Sequence, residues 1–340
     1  MKRKFFIIVF LFIFFLAGNA WAESITICAY GGTYNTGIED IFGKPFTEAT
    51  GIEVIVTTRP IYSKMQVQVK SGNVEWDIVD SESRMYARGV KDGIFEELDL
   101  SMIDVDDFQE GAATKYGVAG IYYSYNITYS TEKWPGDTGP KNMKDYWNVK
   151  KFPGPRGMKL TAFSNLEAAS MAAGIPVDKV YPIDVKLALK KMTELKPHIR
   201  TFWKTGAHGQ QLMRDREVDL CFTSGGRIYQ MMDQGFPVNV IWQDSMIILD
   251  YWTILKGSKH KEAAMKWIAF ASDPKRQAAF AEWTNYGASS KKAYQYIRKE
   301  KAVRMPTYPE NYKKGVLCDA DWYAENEKEI ERAWEIWKLQ

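Results

Sequence analysis

Few side chains in this sequence stand where covalent or metal chemistry would need them. The three histidines, His198, His208 and His260, include no pair at metal-ligand spacing. The three cysteines are an odd number. Cys28 and Cys221 sit in strand-like runs, where a thiol packs as a small apolar group, and Cys318 lies in a polar stretch near the C-terminus. No Ser-His-Asp order, nucleophile elbow or phosphate loop occurs. The pattern points away from an enzyme, a metal site and a disulfide framework, and no cofactor is expected. Non-covalent recognition is better supplied. The chain has 17 Phe, 19 Tyr and 12 Trp, and a surplus of rings over core needs is what a stacking pocket requires.

The elements that would position such a pocket begin at Ser24–Ala29, a strand pattern followed by the Gly-rich turn Tyr30-Gly-Gly-Thr-Tyr. A helix carrying Phe42 and Phe46 on one side and a second strand near 50–56 complete the unit. Strand and helix patterns then alternate: helix 62–72, buried strand 76–80, helix 83–92 closed by Gly93, and strand-rich 116–129. Residues 129–155 change character, with Pro-Gly punctuation that reads as a crossover into a second lobe. There 160–163 opens the next unit, 166–174 and 185–195 are helical, and 218–223 and 238–242 are strands. A strand at 250–255 returns the chain, helices follow at 261–272 and 274–283, and 322–339 is a charged amphipathic helix anchored by Trp334 and Trp337. The expectation is α/β, with lobe 1 at 23–129 and 251–305, lobe 2 at 130–250, and a tail at 306–340 packed on the lobes. Two crossovers imply a cleft between lobes, at the C-terminal ends of strands.

Lys2, Arg3 and Lys4 precede the apolar run 5–18, and Ala20-Trp-Ala offers a cleavage site, so export with cleavage after Ala22 is expected. The run is shorter than the roughly 20 residues that span a bilayer. Without the leader's three basic residues, Lys and Arg balance Asp and Glu at 42 each, which argues against a nucleic-acid partner.

An ordered series of segments resembles the periplasmic substrate-binding proteins of ABC importers, of the spermidine/putrescine type. Its carriers are Tyr30-Gly-Gly-Thr-Tyr, Phe46-Thr-Glu-Ala-Thr-Gly-Ile-Glu-Val, Trp76-Asp-Ile-Val-Asp, Phe152-Pro-Gly-Pro-Arg-Gly, Leu166-Glu-Ala-Ala, Glu217-Val-Asp-Leu, Gly226-Arg-Ile-Tyr and Asp250-Tyr-Trp-Thr-Ile-Leu-Lys-Gly-Ser. The resemblance implies a type II two-lobed clamshell in the periplasm. It would be a monomer that closes on a small-molecule ligand and docks on an inner-membrane ABC permease. In such proteins rings lie along a polyamine's methylenes and carboxylates hold its ammonium ends.

Carried over position by position, the resemblance implies ligand contacts at Thr33 and Tyr34, although Gly32 replaces the ring before that Thr. Glu82 would receive an ammonium group, and Arg84 would either receive a carboxylate or pair with Glu82. Of Tyr122 and Tyr123 only one can face the cleft, and Tyr122 is selected. Ala162 and Phe163 stand where an acidic pair is usual, leaving Glu167 as the compensating acid or as a plain helix N-terminal acid. Thr205 and Ser224 would supply hydroxyls, the latter where a Trp-Asn-Gly segment is replaced by Ser-Gly-Gly. Arg227 suits either an interlobe salt bridge or bidentate capture of a carboxylate. Asp250 is the principal acid, Trp252 flanks the pocket or packs beneath it, and Tyr286 lies near the cleft edge. One retained acid and several rings fit a polyamine-like amine. Two arginines fit an amine that also bears a carboxylate, such as an amino acid or opine, or a dicarboxylate held by Arg84 and Arg227. An exported enzyme or a sensory module on the same fold are the rivals from other classes.

Overall fold

The computed structural model describes residues 23–340, so the expected leader lies outside the described residues. Ten strands form one mixed sheet: β1 Ser24–Ala29, β2 Glu53–Thr58, β3 Ile78–Glu82, β4 Ala113–Thr114, β5 Gly117–Ser130, β6 Arg156–Lys159, β7 Ile199–Trp203, β8 Leu220–Ser224, β9 Val238–Ile254 and β10 Gly315–Leu317. Their order is β2-β1-β3-β9-β5-β8-β6-β7, with β10 on β9 and β4 on β5. The outer pairs of each half are parallel, as helix crossovers require, and the central pairs β3/β9, β5/β9 and β5/β8 are antiparallel. The helices 44–50, 62–71 and 83–92 end at Gly51, Gly72 and Gly93, each in the left-handed conformation that glycine adopts without steric penalty.

Two expectations change. The strands expected at 238–242 and 250–255 are one strand of 17 residues, β9. The polar Gln243-Asp-Ser interrupts the alternation, but residues 245–254 are all buried and pair along β5 and β3. The second half also opens with β6 rather than at 160–163. Arg156 disguises that strand as polar, yet it is fully buried, and its guanidinium donates to the carbonyls of Tyr146, Phe152 and Gly154.

The two largest cores share β5 and β9. One gathers Ile27, Phe42, Phe46 and Ile78 with Trp252 and Trp267, whose rings meet edge-on at 5.1 Å. Such a pair contributes about 0.5–1.5 kcal/mol beyond its buried area. The other gathers Met158, Leu166, Trp203 and Phe222, and takes in Tyr323, Ile330, Trp334 and Trp337 of the C-terminal helix Ala320–Leu339. Along β5, Val118, Ile121 and Tyr122 pack in the first core, and Ile127 and Tyr129 in the second. No helix among the described residues is long and apolar enough to cross a membrane.

Candidate functional site

Where β5 and β9 pass from one core to the other, a cleft of about 590 Å³ opens. Its first wall comes from β3 and β9. Glu82 lies opposite Asp250 and Asp80 opposite Trp252, and opposed residues of an antiparallel pair share a face. Glu82 caps the helix Ser83–Asp92, accepting the Arg84 N–H at 3.2 Å, and its other oxygen pairs with the Arg84 guanidinium at 2.9 Å. Burial pushes the Glu82 carboxyl up, but the Arg84 charge outweighs it and holds the group below its ordinary value. Asp250 has no such partner. Its Oδ1 makes no hydrogen bond, and burial, reinforced by Asp80 and Glu82, raises its pKa well above the ordinary value. An unpaired buried acid facing a cleft is a receptor for a cationic group.

The opposite wall carries positive charge. Lys159, the last residue of β6, donates to the Tyr125 hydroxyl at 3.0 Å and lies over the rings of Tyr125 and Phe163. Burial first and the Arg84 charge second pull its pKa down to about 7. Arg227 lies across Gly206, where an added Cβ would meet its Nε at 2.9 Å, so that glycine makes room for the arm. Among the described residues the Arg227 guanidinium makes no ion pair, and its backbone carbonyl accepts from Gln210. Two helix N-termini end at the same wall. Thr205 caps Gly206–Arg214 by accepting the His208 N–H, whereas Ser224, before Gly225–Asp233, makes no cap bond and meets the Tyr286 hydroxyl at 3.3 Å. Helix N-termini favour anions. Between the walls runs a belt of rings: Tyr286–Tyr123 at 6.0 Å, Tyr123–Tyr125 at 5.6 Å and Tyr125–Trp203 at 5.4 Å.

Of the expected site residues, Tyr34, Glu82, Arg84, Thr205, Ser224, Arg227, Asp250 and Tyr286 line this cleft. Arg84 takes the pairing alternative: it is matched by Glu82 and stacked on Phe163 at 3.6 Å. Four expected residues lie elsewhere. Thr33 is exposed at the start of its helix, with its carbonyl accepting from the Trp283 indole. Tyr122 points to the far face of β5, against Tyr312, because alternation turns Ile121, Tyr123 and Tyr125 inward. Glu167 is fully buried behind the positive wall, accepting the hydroxyls of Tyr181 and Tyr323, each at 2.7 Å. Trp252 shares the Asp250 face but lies one pleat deeper, against Trp267.

Sequence reasoning missed Lys159, Tyr123, Tyr125, Trp203 and the buried Asp80. Lys159 was findable as the residue closing a strand, had the strand been placed at 156–159. The choice between Tyr122 and Tyr123 turns on a register shift between Ala119 and Ile121, and the unpaired Gly120 that makes it, held against the Trp252 ring, was the one available signal.

Residues 42–310 match the family of bacterial extracellular solute-binding proteins. A gamma-aminobutyric acid-binding protein of Pseudomonas aeruginosa is 31% identical over 331 residues, 95% of this chain and 93% of that protein. An ABC transporter substrate-binding protein of Bradyrhizobium japonicum USDA 110 has a TM-score of 0.88 at 33% identity, covering 93% of this chain and 99% of that one. The PBP AgtB of A. tumefaciens R10, solved in complex with agropinic acid, has a TM-score of 0.84 at 30% identity, covering 94% and 99%. Spermidine/putrescine-binding relatives are more distant, at 23% identity over 78% of the chain. The chain belongs to the bacterial extracellular solute-binding protein family and is the substrate-binding component of an ABC transporter, a two-lobed clamshell that binds rather than transforms its ligand.

Proposed function

We propose that this solute-binding protein captures a zwitterionic small molecule, an amine that also carries a carboxylate, of the γ-aminobutyrate or opine class. The observation that carries this reading is the opposition of charge across one cleft. Asp250 stands unpaired on one wall, and Lys159, Arg227 and two helix N-termini stand on the other. A ligand ammonium would take a charge-assisted hydrogen bond to Asp250, and its carboxylate would reach Arg227 and Lys159. Tyr123, Tyr125 and Tyr286 would flank the carbon chain between them. A ligand bridging both walls makes contacts only when they approach, so its binding energy drives closure, and the closed form is what a permease would read.

The ligands of two relatives, gamma-aminobutyric acid and agropinic acid, support the class. A diamine fits less well. Its second ammonium would face Lys159 and Arg227, and Glu82 is already matched by Arg84. A dicarboxylate would turn one anionic end toward Asp250.

The test is a thermal-shift and calorimetric panel on the mature chain from Glu23, with γ-aminobutyrate, agropinate, putrescine and succinate. A ligand at 100 times its Kd stabilises by about 2.7 kcal/mol. Shifts with γ-aminobutyrate or agropinate are expected. A shift with putrescine alone, or with succinate alone, would overturn the reading.

A further inference from the structure

We propose that Asp80 is a second, buried acid of the cation pocket: Asp80 and Asp250 hold one proton between them, and an incoming ammonium displaces it. This rests on the zwitterion reading and extends it to a positioning residue that does not itself line the cleft.

Asp80 and Asp250 are diagonal neighbours across the β3–β9 pair, which sets their Cα atoms about 7–8 Å apart on one face. Asp80 is 0% exposed, and neither of its carboxylate oxygens has a hydrogen-bond partner. Asp250, 4% exposed, leaves Oδ1 unpartnered as well. Buried polar groups are nearly always satisfied, so two orphaned carboxyls on one face require a cause. Two anions this close in a low-dielectric setting cannot both stay ionised without a counter-charge, and a shared proton is the smallest remedy.

The surroundings supply no cation to Asp80. Tyr30, just past β1, and Tyr34, from the helix Thr33–Gly37, are neutral phenols that feel its charge, the latter facing it without a bond of good geometry, and the Cys28 thiol of β1 lies on the other face of the sheet, with Val79. On its own strand stands Glu82, matched by Arg84. Tyr123 of β5 is neutral, and the Lys159 charge of β6 bears on Glu82 and Asp250 but not on Asp80. Burial accordingly holds the Asp80 carboxyl up at about 7, with Tyr34 opposing, and Asp250 moves the same way.

The step balances as one ammonium in and one proton out to solvent, with both carboxyls ionised in the complex. The pocket therefore selects for a full positive charge. A neutral amide of the same shape cannot replace the proton.

Calorimetry of γ-aminobutyrate binding from pH 5.5 to 8.5, in two buffers of different ionisation enthalpy, reads that proton directly. Affinity should rise toward pH 7 by up to about tenfold per pH unit. Asp80→Asn should flatten this acid limb, release fewer protons than wild type, and still bind at pH 7. Lys159 titrates in the opposite sense, so the decline above pH 7 should persist in the variant. An acid limb unchanged in Asp80→Asn would overturn the proposal.

Ligand-free protein gives a reading that needs no ligand identity. A carboxyl whose folded pKa lies above its unfolded value loses stabilisation as pH rises through that interval, here from about 4 to about 7. At pH 8 the unfolding midpoints of Asp80→Asn and Asp250→Asn should each exceed wild type by ~5 °C. The double variant should add little, because removing either acid ends the repulsion. Additive gains, or a wild-type profile in Asp80→Asn, sink the shared proton. If no compound of the panel binds, the zwitterion reading fails and these profiles still decide. Should Asp80→Asn not fold, a 13C-carboxyl titration of wild type replaces it. One Asp resonance titrating above pH 6 is expected, and none above pH 5 overturns the proposal.

Discussion

The two walls of the cleft hold charge in different ways. The acids sit within paired strands: Asp250 lies inside the 17-residue β9, paired with Glu82 of β3 on one side and Ile121 of β5 on the other. The cations sit at the ends of elements, Lys159 closing β6 and Arg227 third in the helix Gly225–Asp233, and both are only partly buried. A carboxylate on a short stem in a ladder cannot retreat from a ligand. A lysine or arginine on a long stem can re-aim its head group at little cost. The ammonium end of a ligand is thus fixed in position, and the carboxylate end tolerates variation in length and shape.

The most severe way to break this asymmetry is at Asp250. Asp250→Asn keeps the shape and removes the charge. Truncating one partner of a buried charged contact costs roughly 2–5 kcal/mol, so binding of γ-aminobutyrate should weaken ~30-fold or more, measured by calorimetry at pH 7. A variant within threefold of wild type would mean that the fixed wall does not hold the ammonium.

Arg227→Ala sharpens the other side. A hydrogen bond to a charged group is worth about 1.5–3 kcal/mol, but Lys159 and the helix N-termini remain to share the carboxylate. We expect about a tenfold loss for carboxylate-bearing ligands and none for putrescine. An equal loss for both would assign Arg227 to the lobes rather than to the ligand.

The same contrast explains what could be read from the sequence. The units built on β1, β2 and β3 were legible, because Ile25 and Ile27, the turn at Gly31 and Gly32, and the caps at Gly51, Gly72 and Gly93 all state their structure locally. Asp250 was legible only through the family resemblance, which implies a principal acid at that position. The positive wall was not. Arg156 buries a charge in a short strand, so β6 and therefore Lys159 were misplaced by a few residues. In β5, twelve of the fourteen residues are buried, which leaves little alternation from which to choose between Tyr122 and Tyr123. Asp80 was read only as part of a strand, since its burial depends on β9, some 170 residues away, pairing against β3.

Glu167 offers the finest test of where the cation wall ends. Its place near the N-terminus of Asn165–Ala172 suggests a ligand acid, yet it does not line the cleft, and one of its oxygens takes up two buried phenol hydroxyls that do not line it either. In Glu167→Gln the amide oxygen can still accept both hydroxyls, and the buried charge is gone. Burial raises the Glu167 pKa above its ordinary 4.5, with the two hydroxyls opposing. The sign follows: wild type loses stabilisation as pH climbs from about 4.5 through the folded value, and the variant, having nothing to titrate, does not. Its unfolding midpoint relative to wild type should therefore improve from pH 4.5 to 8, set against the new cost of an amide N–H where Oε2 has no partner. Affinity for γ-aminobutyrate should change less than about threefold, since Glu167 acts on Lys159 only through space. A loss as large as that of Asp250→Asn would place an effective acid on the positive wall, and the division of labour between the walls would not stand.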